Sequence, residues 1–224
     1  MTTRTTGSTP PRVPLTRERV LHVAIGLADQ GGLESVSMRK LGQELGVEAM
    51  ALYYHFASRD EIVDGLVDLV FGEVDLPPAD GAWKAAMRRR AISLRDVLLH
   101  HRWAIGLMEA RATPGPANLR HHDAVIGSLR AAGFDLAMVA HAYSVLDGYI
   151  YGFALTKMNI PFTTAEEVEQ VAQSMLQPFP LNEFPNLGAF FAGHIMKPGY
   201  DFNDEFEYGL DLILDGLERA RASA

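Results

Sequence analysis

The stretch Ser37–Phe56, SMRKLGQELGVEAMALYYHF, restricts what this chain can fold into more than any other. Ser37 stands where a helix N-cap belongs, because its hydroxyl accepts from a free backbone N–H of the first turn. Val36 before it and Leu41 four residues after it form a hydrophobic staple. Leu41 and Leu45 then share one helical face. Gly46 follows, where a left-handed residue ends a helix without Cβ strain. A second short helix is expected from near Val47. It turns Ala51, Leu52 and Phe56 inward and leaves Glu48, Ala49, Met50, Tyr53 and His55 for other contacts. Helix, glycine turn, helix is the pattern of a DNA-binding motif whose second helix enters the major groove. The same pattern also occurs in all-helical proteins with no DNA partner, so the flanks matter.

Both flanks are helical. Thr16 caps a first helix, with Leu15 and Val20 as its staple. Val20, Val23, Ala24, Leu27 and Ala28 repeat as one apolar face up to Gly31-Gly32. After the motif, Ser58-Arg-Asp-Glu61 reads as a capping box for a fourth helix with Ile62, Leu66, Leu69 and Val70 on its apolar side. Pro77-Pro78 and Gly81 mark a break. Residues 15–75 are therefore expected to be a small four-helix domain, 1–14 a disordered tail rich in Thr, Pro and Gly, and 76–224 a second domain. Arg4 and Arg12 of the tail are either solvated or touch phosphates.

Charge is uneven. The net charge is −8, which argues against nucleic acid until it is divided along the chain. Residues 1–60 hold seven Lys/Arg and six Asp/Glu, whereas 61–224 hold thirteen and twenty-two. An acidic body with a near-neutral end fits DNA contact by that end alone. There is no Cys, hence no disulfide and no Cys-based metal site. No apolar run approaches the roughly 20 residues of a membrane span, and the N-terminus has no secretory core, so a cytoplasmic protein with no membrane partner is expected.

Residues 83–221 read as helices throughout, making the fold class all-α. Trp83–His101 carries Met87, Ala91, Leu94 and Leu98 on one side. Arg88, Arg89 and Arg90 point in three directions on a helix, and a solvated face is the simpler reading. Further helices are expected at 103–111, 117–132, 135–158, 166–176, 188–195 and 204–221. Residues 178–203 hold four Pro, which precludes one long helix there. In 135–158, Ala140, Ser144, Gly148 and Gly152 recur every four residues. That low ridge admits close approach of another helix. Gly inside a helix costs about 1 kcal/mol against Ala, so something should offset it.

The segment from LTRERVLHVAIGLADQGG through SMRKLGQELGV and ALYYHF to the capped fourth helix resembles the DNA-binding domain of TetR-type transcriptional regulators, with the tetracycline-repressor branch as one possible home. The resemblance covers about residues 15–72. It implies a homodimeric DNA-binding regulator, a repressor released by a small, mostly apolar effector, with two late helices per subunit (135–158 and 204–221) forming the dimer interface. It implies phosphate contacts at Ser37, Met38 and Arg39 opening the first motif helix, at Tyr53 and His55, and at Arg59. Glu48, Ala49, Met50 and Ala51 should face base edges. Glu48 suits cytosine N4, and the apolar pair suits thymine methyls. The family prototype is more polar at these positions, so its operator does not carry over.

Eight His invite a catalytic or metal reading. His100-His101 and His121-His122 are neighbours about 100° apart on a helix and do not chelate together. No HExxH, G-x-S-x-G or P-loop pattern is present. Neither enzyme, metal nor cofactor is expected. The positions matching the prototype's magnesium-binding set fall near 72–73, 107–108 and 156–157, where no His stands, which argues against a magnesium–drug complex as effector. Candidates for an effector pocket are Trp103, Met108, His122, His141, Asp147, Tyr149, Tyr151 and Phe153, each also explicable as core packing. The competing reading is a helical ligand-binding protein or enzyme whose helix-turn-helix is structural.

Overall fold

The computed structural model describes residues 14–78, 82–160, 169–171 and 183–222. Residues 1–13 of the tail expected at 1–14, and nearly all of the helix expected at 166–176, lie outside them. Among the described residues there is no β-strand. The helices are α1 (Arg17–Gly31), α2 (Met38–Leu45), α3 (Ala49–Leu52), α4 (Arg59–Glu73), α5 (Trp83–His100), α6 (Pro116–Ala131), α7 (Leu136–Asn159), α8 (Pro185–Phe190) and α9 (Phe202–Ala222). None of them is long and apolar enough to cross a membrane.

The chain forms two compact units, 1–67 and 68–224. The division falls inside α4, eight residues before the expected domain end at 75, because Asp68 and Phe71 on its last turns contact the second unit's own helices. In the first unit Val20, Ala24, Val36, Leu41, Leu52, Ile62 and Leu66 are sealed from solvent. Such a Leu or Ile contributes about 1.5–3 kcal/mol when fully buried. Thr16 and Ser37 cap α1 and α2 by accepting from Arg19 N–H and Lys40 N–H, both at 3.2 Å. Ser58 caps α4 through Glu61 N–H (3.2 Å), but Glu61 reaches back to Ala57 N–H (2.6 Å) rather than to that of Ser58.

In the second unit α5 packs against α6, α7 and α9. Its stripe of Met87, Ala91, Leu94 and Leu98 is buried, as are Val125 and Leu129 of α6, Leu146 and Ile150 of α7, and Phe206, Leu210 and Leu214 of α9. On the rim, Lys84 pairs with Asp215, and Arg88 with Glu207 (2.5 Å) and Asp211 (2.9 Å). The solvated reading of Arg88–Arg90 is therefore corrected. Arg88 is engaged with α9, Arg89 is exposed, and Arg90 is buried.

Residues 102–110 are consecutive turns, not the helix expected at 103–111. Three of their backbone bonds span three residues (Ala104 to His101, Leu107 to Ala104, Ala110 to Leu107), so the apolar spacing is met without a regular helix. The segment expected to be helical over 188–195 is α8 followed by a wider turn, Phe191–Ile195, of π type.

Candidate nucleic-acid interface and effector site

The helix-turn-helix is built as its residues require. Gly46 adopts φ 68° and ψ 34°, the left-handed region that a side chain would strain. Val47 N–H then bonds Gly42 carbonyl at 2.9 Å, and α3 opens with Ala51 N–H on Glu48 carbonyl at 2.9 Å. The second motif helix starts at Ala49, two residues later than expected, and is one turn long. Leu52 and Phe56 are buried, while Met50 (72 % exposed), Tyr53 (50 %) and Tyr54 (88 %) stand out from the surface. Arg39 and Glu48 are also exposed; Ser37, Met38, Ala49, Ala51 and His55 are half-buried. Ala51 is thus only partly turned inward.

Two arginines brace this surface, Arg17 from the exposed start of α1 and Arg59 from the half-buried start of α4. Arg17 donates to the His55 carbonyl and to Glu61 (2.7 Å), with its guanidinium 4.2 Å from the Phe56 ring centre. The Ala57 N–H and Arg17 hold the Glu61 carboxyl below its usual range. Arg59 donates from Nε to Val36 carbonyl and from Nη2 to Leu33 carbonyl, both at 2.6 Å. The Arg59 side chain, expected at a phosphate, thus spends Nε and Nη2 on these two carbonyls. Its head is directed at the link between α1 and α2, whose carbonyls need a donor.

A polar cluster lies inside the second unit. Arg90 of α5, 2 % exposed, donates from Nη1 to Asp147 Oδ1 of α7 at 2.5 Å. Its Nη2 and Nε face His121 Nε2 of α6 at 2.9 and 3.3 Å. Burial opposes the Arg90 charge, but Asp147 more than offsets it and raises the group. Arginine can only donate, so His121 Nε2 accepts and the ring's proton sits on Nδ1. Burial, with Arg90 and His122 beside it, pushes His121 down to about 3, so it is neutral at physiological pH. Its Nδ1 is buried and has no hydrogen-bond partner. His122 bonds Tyr143 of α7, and Tyr151 donates to Glu109 at 3.0 Å. Burial raises both phenols, so they stay protonated. Phe71 of α4 closes one side, its ring 5.4 Å from His121 and 5.6 Å from His122.

Asp68, one turn before Phe71, accepts from Ala117 N–H (2.8 Å) and Asn118 N–H (2.9 Å) and so caps α6 from another helix. The carboxylate fits only because residue 115 is Gly; a Cβ there would lie 2.2 Å from Asp68 Cγ.

Of the eight effector candidates, the cluster gathers His122, Asp147 and Tyr151. Tyr149 and Phe153 belong to a separate aromatic group. Tyr149 donates to the Glu205 and Phe206 carbonyls and stacks on Phe206, while Phe153 stacks on Phe202 with ring centres 4.8 Å apart. Trp103 is half-buried with its ring 6.0 Å from His101, and Met108 is buried. His141 is exposed, away from the buried side of α7, and does not join the cluster. Arg90, His121, Tyr143 and Glu109 are members that the sequence reading missed. For Arg90 a signal existed, since it is three residues from Met87 and four from Leu94, on the apolar face itself.

An exposed, capped helix-turn-helix in one unit and an all-helical second unit define a class, the helix-turn-helix DNA-binding proteins. Comparison with known proteins makes it specific. Residues 20–66 match the model of bacterial regulatory proteins of the tetR family, and residues 77–221 match the tetracyclin repressor-like C-terminal domain. A transcriptional regulator of Saccharopolyspora erythraea is 37% identical over 62% of this chain, which spans 59% of that protein's length. The transcriptional repressor DrrR1 of Streptomyces coeruleorubidus is 29% identical over 95% of this chain and 82% of its own. The crystal structure of apo ActR from Streptomyces coelicolor superposes with TM-score 0.75 at 30% identity, covering 94% of this chain and 98% of that one. The chain belongs to the TetR family of DNA-binding transcriptional regulators.

Proposed function

We propose that two copies of this chain bind one pseudo-palindromic operator in the cytoplasm, repress transcription, and are released by a small, mostly apolar effector bound in the second unit. The observation that carries the reading is the exposed surface of α2, α3 and the turn after it, where Met50, Tyr53 and Tyr54 face solvent. Ser37, Met38 and Arg39, with Tyr53 and His55, hold phosphates at the helix start, where free N–H groups favour anions. Glu48, Ala49, Met50 and Ala51 read base edges. Two such helices reach successive major grooves when about 34–36 Å apart.

Dimerisation is supported by α7 and α9. The small-residue ridge Ala140, Ser144, Gly148 and Gly152 is exposed, and a Cβ added at either glycine meets nothing within 4 Å. Leu136, Val145 and Leu155 of α7 and Tyr208 and Leu212 of α9 are exposed apolar side chains, an arrangement suited to a second copy. The effector site is the Arg90–His121–Asp147 cluster with His122, Tyr143 and Tyr151. ActR has also been solved with actinorhodin, at TM-score 0.73 and 30% identity, which supports a small-molecule effector for this chain. Helix α4 links the two events, because Asp68 and Phe71 rest on α6 while the same helix begins in the DNA-binding unit.

The test is binding to the intergenic DNA beside the gene, at several salt concentrations. A specific, salt-dependent complex is expected. Arg39→Ala should weaken every sequence alike and lower the salt slope by about one, whereas Met50→Ala should alter preference at one base position. Absence of a specific complex both there and in a random-library selection would refute the operator reading.

A further inference from the structure

Nearly all buried polar atoms in proteins have a hydrogen-bond partner, and each exception asks for a reason. His121 Nδ1 is such an exception, on a residue 1 % exposed. Its other nitrogen is fixed by Arg90, so the ring cannot flip to satisfy both at once. An N–H is thereby held in place with nothing to accept it. Around it are rings: Phe71 at 5.4 Å, His122 at 5.7 Å, and Tyr143 at 5.7 Å from His122. The charges beside it cancel, since Arg90 faces Asp147.

We propose that His121 Nδ1–H is the donor that selects the effector, and that the effector is a flat, uncharged aromatic compound presenting a carbonyl oxygen. The inference rests on the effector site proposed above. The chemistry excludes the alternatives in turn. A protonated amine offers only donors where a donor already waits, and a hydroxyl can accept the N–H only by bringing an O–H of its own that needs a further acceptor. A carboxylate would bring a full charge beside Asp147, whose attraction to Arg90 it would have to replace. A plain hydrocarbon fits the rings but leaves the N–H as unsatisfied as before. A carbonyl satisfies it without adding charge, and a site built around a hydrogen bond discriminates strongly against analogues that cannot form it.

The test uses three compounds of nearly one shape against the full-length protein: 2-acetonaphthone, 2-ethylnaphthalene and 2-naphthoate. Equilibrium dialysis should show the ketone binding one per chain, about tenfold or more tighter than the hydrocarbon and the anion, as one neutral hydrogen bond allows. His121→Phe should bring the ketone down to the level of the hydrocarbon. His121→Gln keeps an acceptor for Arg90 and an N–H to offer, and should restore part of the preference. Equal binding of the three compounds by the wild type, tighter binding of naphthoate, or no binding of the ketone would each overturn the proposal without any variant. Release of bound operator DNA is followed in the same samples. Ketone binding that depends on His121 but leaves the DNA complex intact supports the donor and refutes release through this site. Release by compounds indifferent to the residue at 121 supports ligand control and overturns the donor.

Discussion

The Arg90–Asp147 pair offers the sharpest test of how the second unit is held together. Asp147→Leu leaves the Arg90 guanidinium in the core with His121 Nε2 and the face of Tyr143, 5.8 Å away, and no carboxylate partner among the described residues. Two unit charges about 4 Å apart attract by about 4 kcal/mol at an effective dielectric of about 20. Removing one member of a buried pair typically costs about 3–5 kcal/mol, because the survivor keeps its desolvation penalty. For a chain of this size that is a fall in melting temperature of roughly 6–20 °C. Urea unfolding followed by circular dichroism should show a lower midpoint with little change in slope. The double variant Arg90→Met with Asp147→Leu removes both charges and should recover most of the loss, since apolar replacements of a buried pair are often neutral or stabilising. A single-variant cost under about 1 kcal/mol, or a double variant as unstable as the two singles combined, would refute the reasoning.

The remaining predictions concern pH, a cap, and association. Between about pH 6.5 and 3 the unfolded chain protonates at residue 121 while the native ring stays neutral, so this group makes stability fall with falling pH by about 1.4 kcal/mol per unit. His121→Gln should flatten the pH dependence of the urea midpoint in that window, and an unchanged profile would contradict the buried neutral ring. Asp68→Ala removes the acceptor for Ala117 and Asn118 N–H and should cost about 1–2 kcal/mol of stability, measured by thermal unfolding. Leu212→Glu on the exposed side of α9 should yield monomers in sedimentation velocity; a persisting dimer would move the interface elsewhere.

What the sequence showed plainly was what depends on neighbours in the chain. Thr16, Ser37 and Ser58 cap the helices that follow them, and Val20, Ala24 and Ala28 of the apolar repeat in α1 are buried. What it concealed depends on partners distant in the chain. Arg59 reads as a surface cation until the carbonyls of Leu33 and Val36 come into reach. The run Arg88–Arg90 looks uniform, yet α9 and α7 take its first and last members for unrelated purposes. The two His of α6 read alike, yet one bonds Arg90 and the other Tyr143, because successive residues face different helices. Residues 102–110 have helical spacing but form successive turns, a difference that periodicity alone does not resolve. The buried polar cluster was half visible for the same reason. Its members on α7 stand within one stretch, whereas Arg90 and Glu109 come from elsewhere in the chain.

The contact of Asp68 with the start of α6 sets where this regulator can be cut and rejoined. A foreign DNA-reading module spliced on before residue 68 keeps the carboxylate with the helix it caps and keeps Phe71 beside His121 and His122. A splice at the visible Pro77-Pro78 break instead imports a stranger's side chain beneath Gly115, where there is room for a carboxylate and little else. The workable seam for a chimera lies in the middle of a helix, not in the linker that follows it.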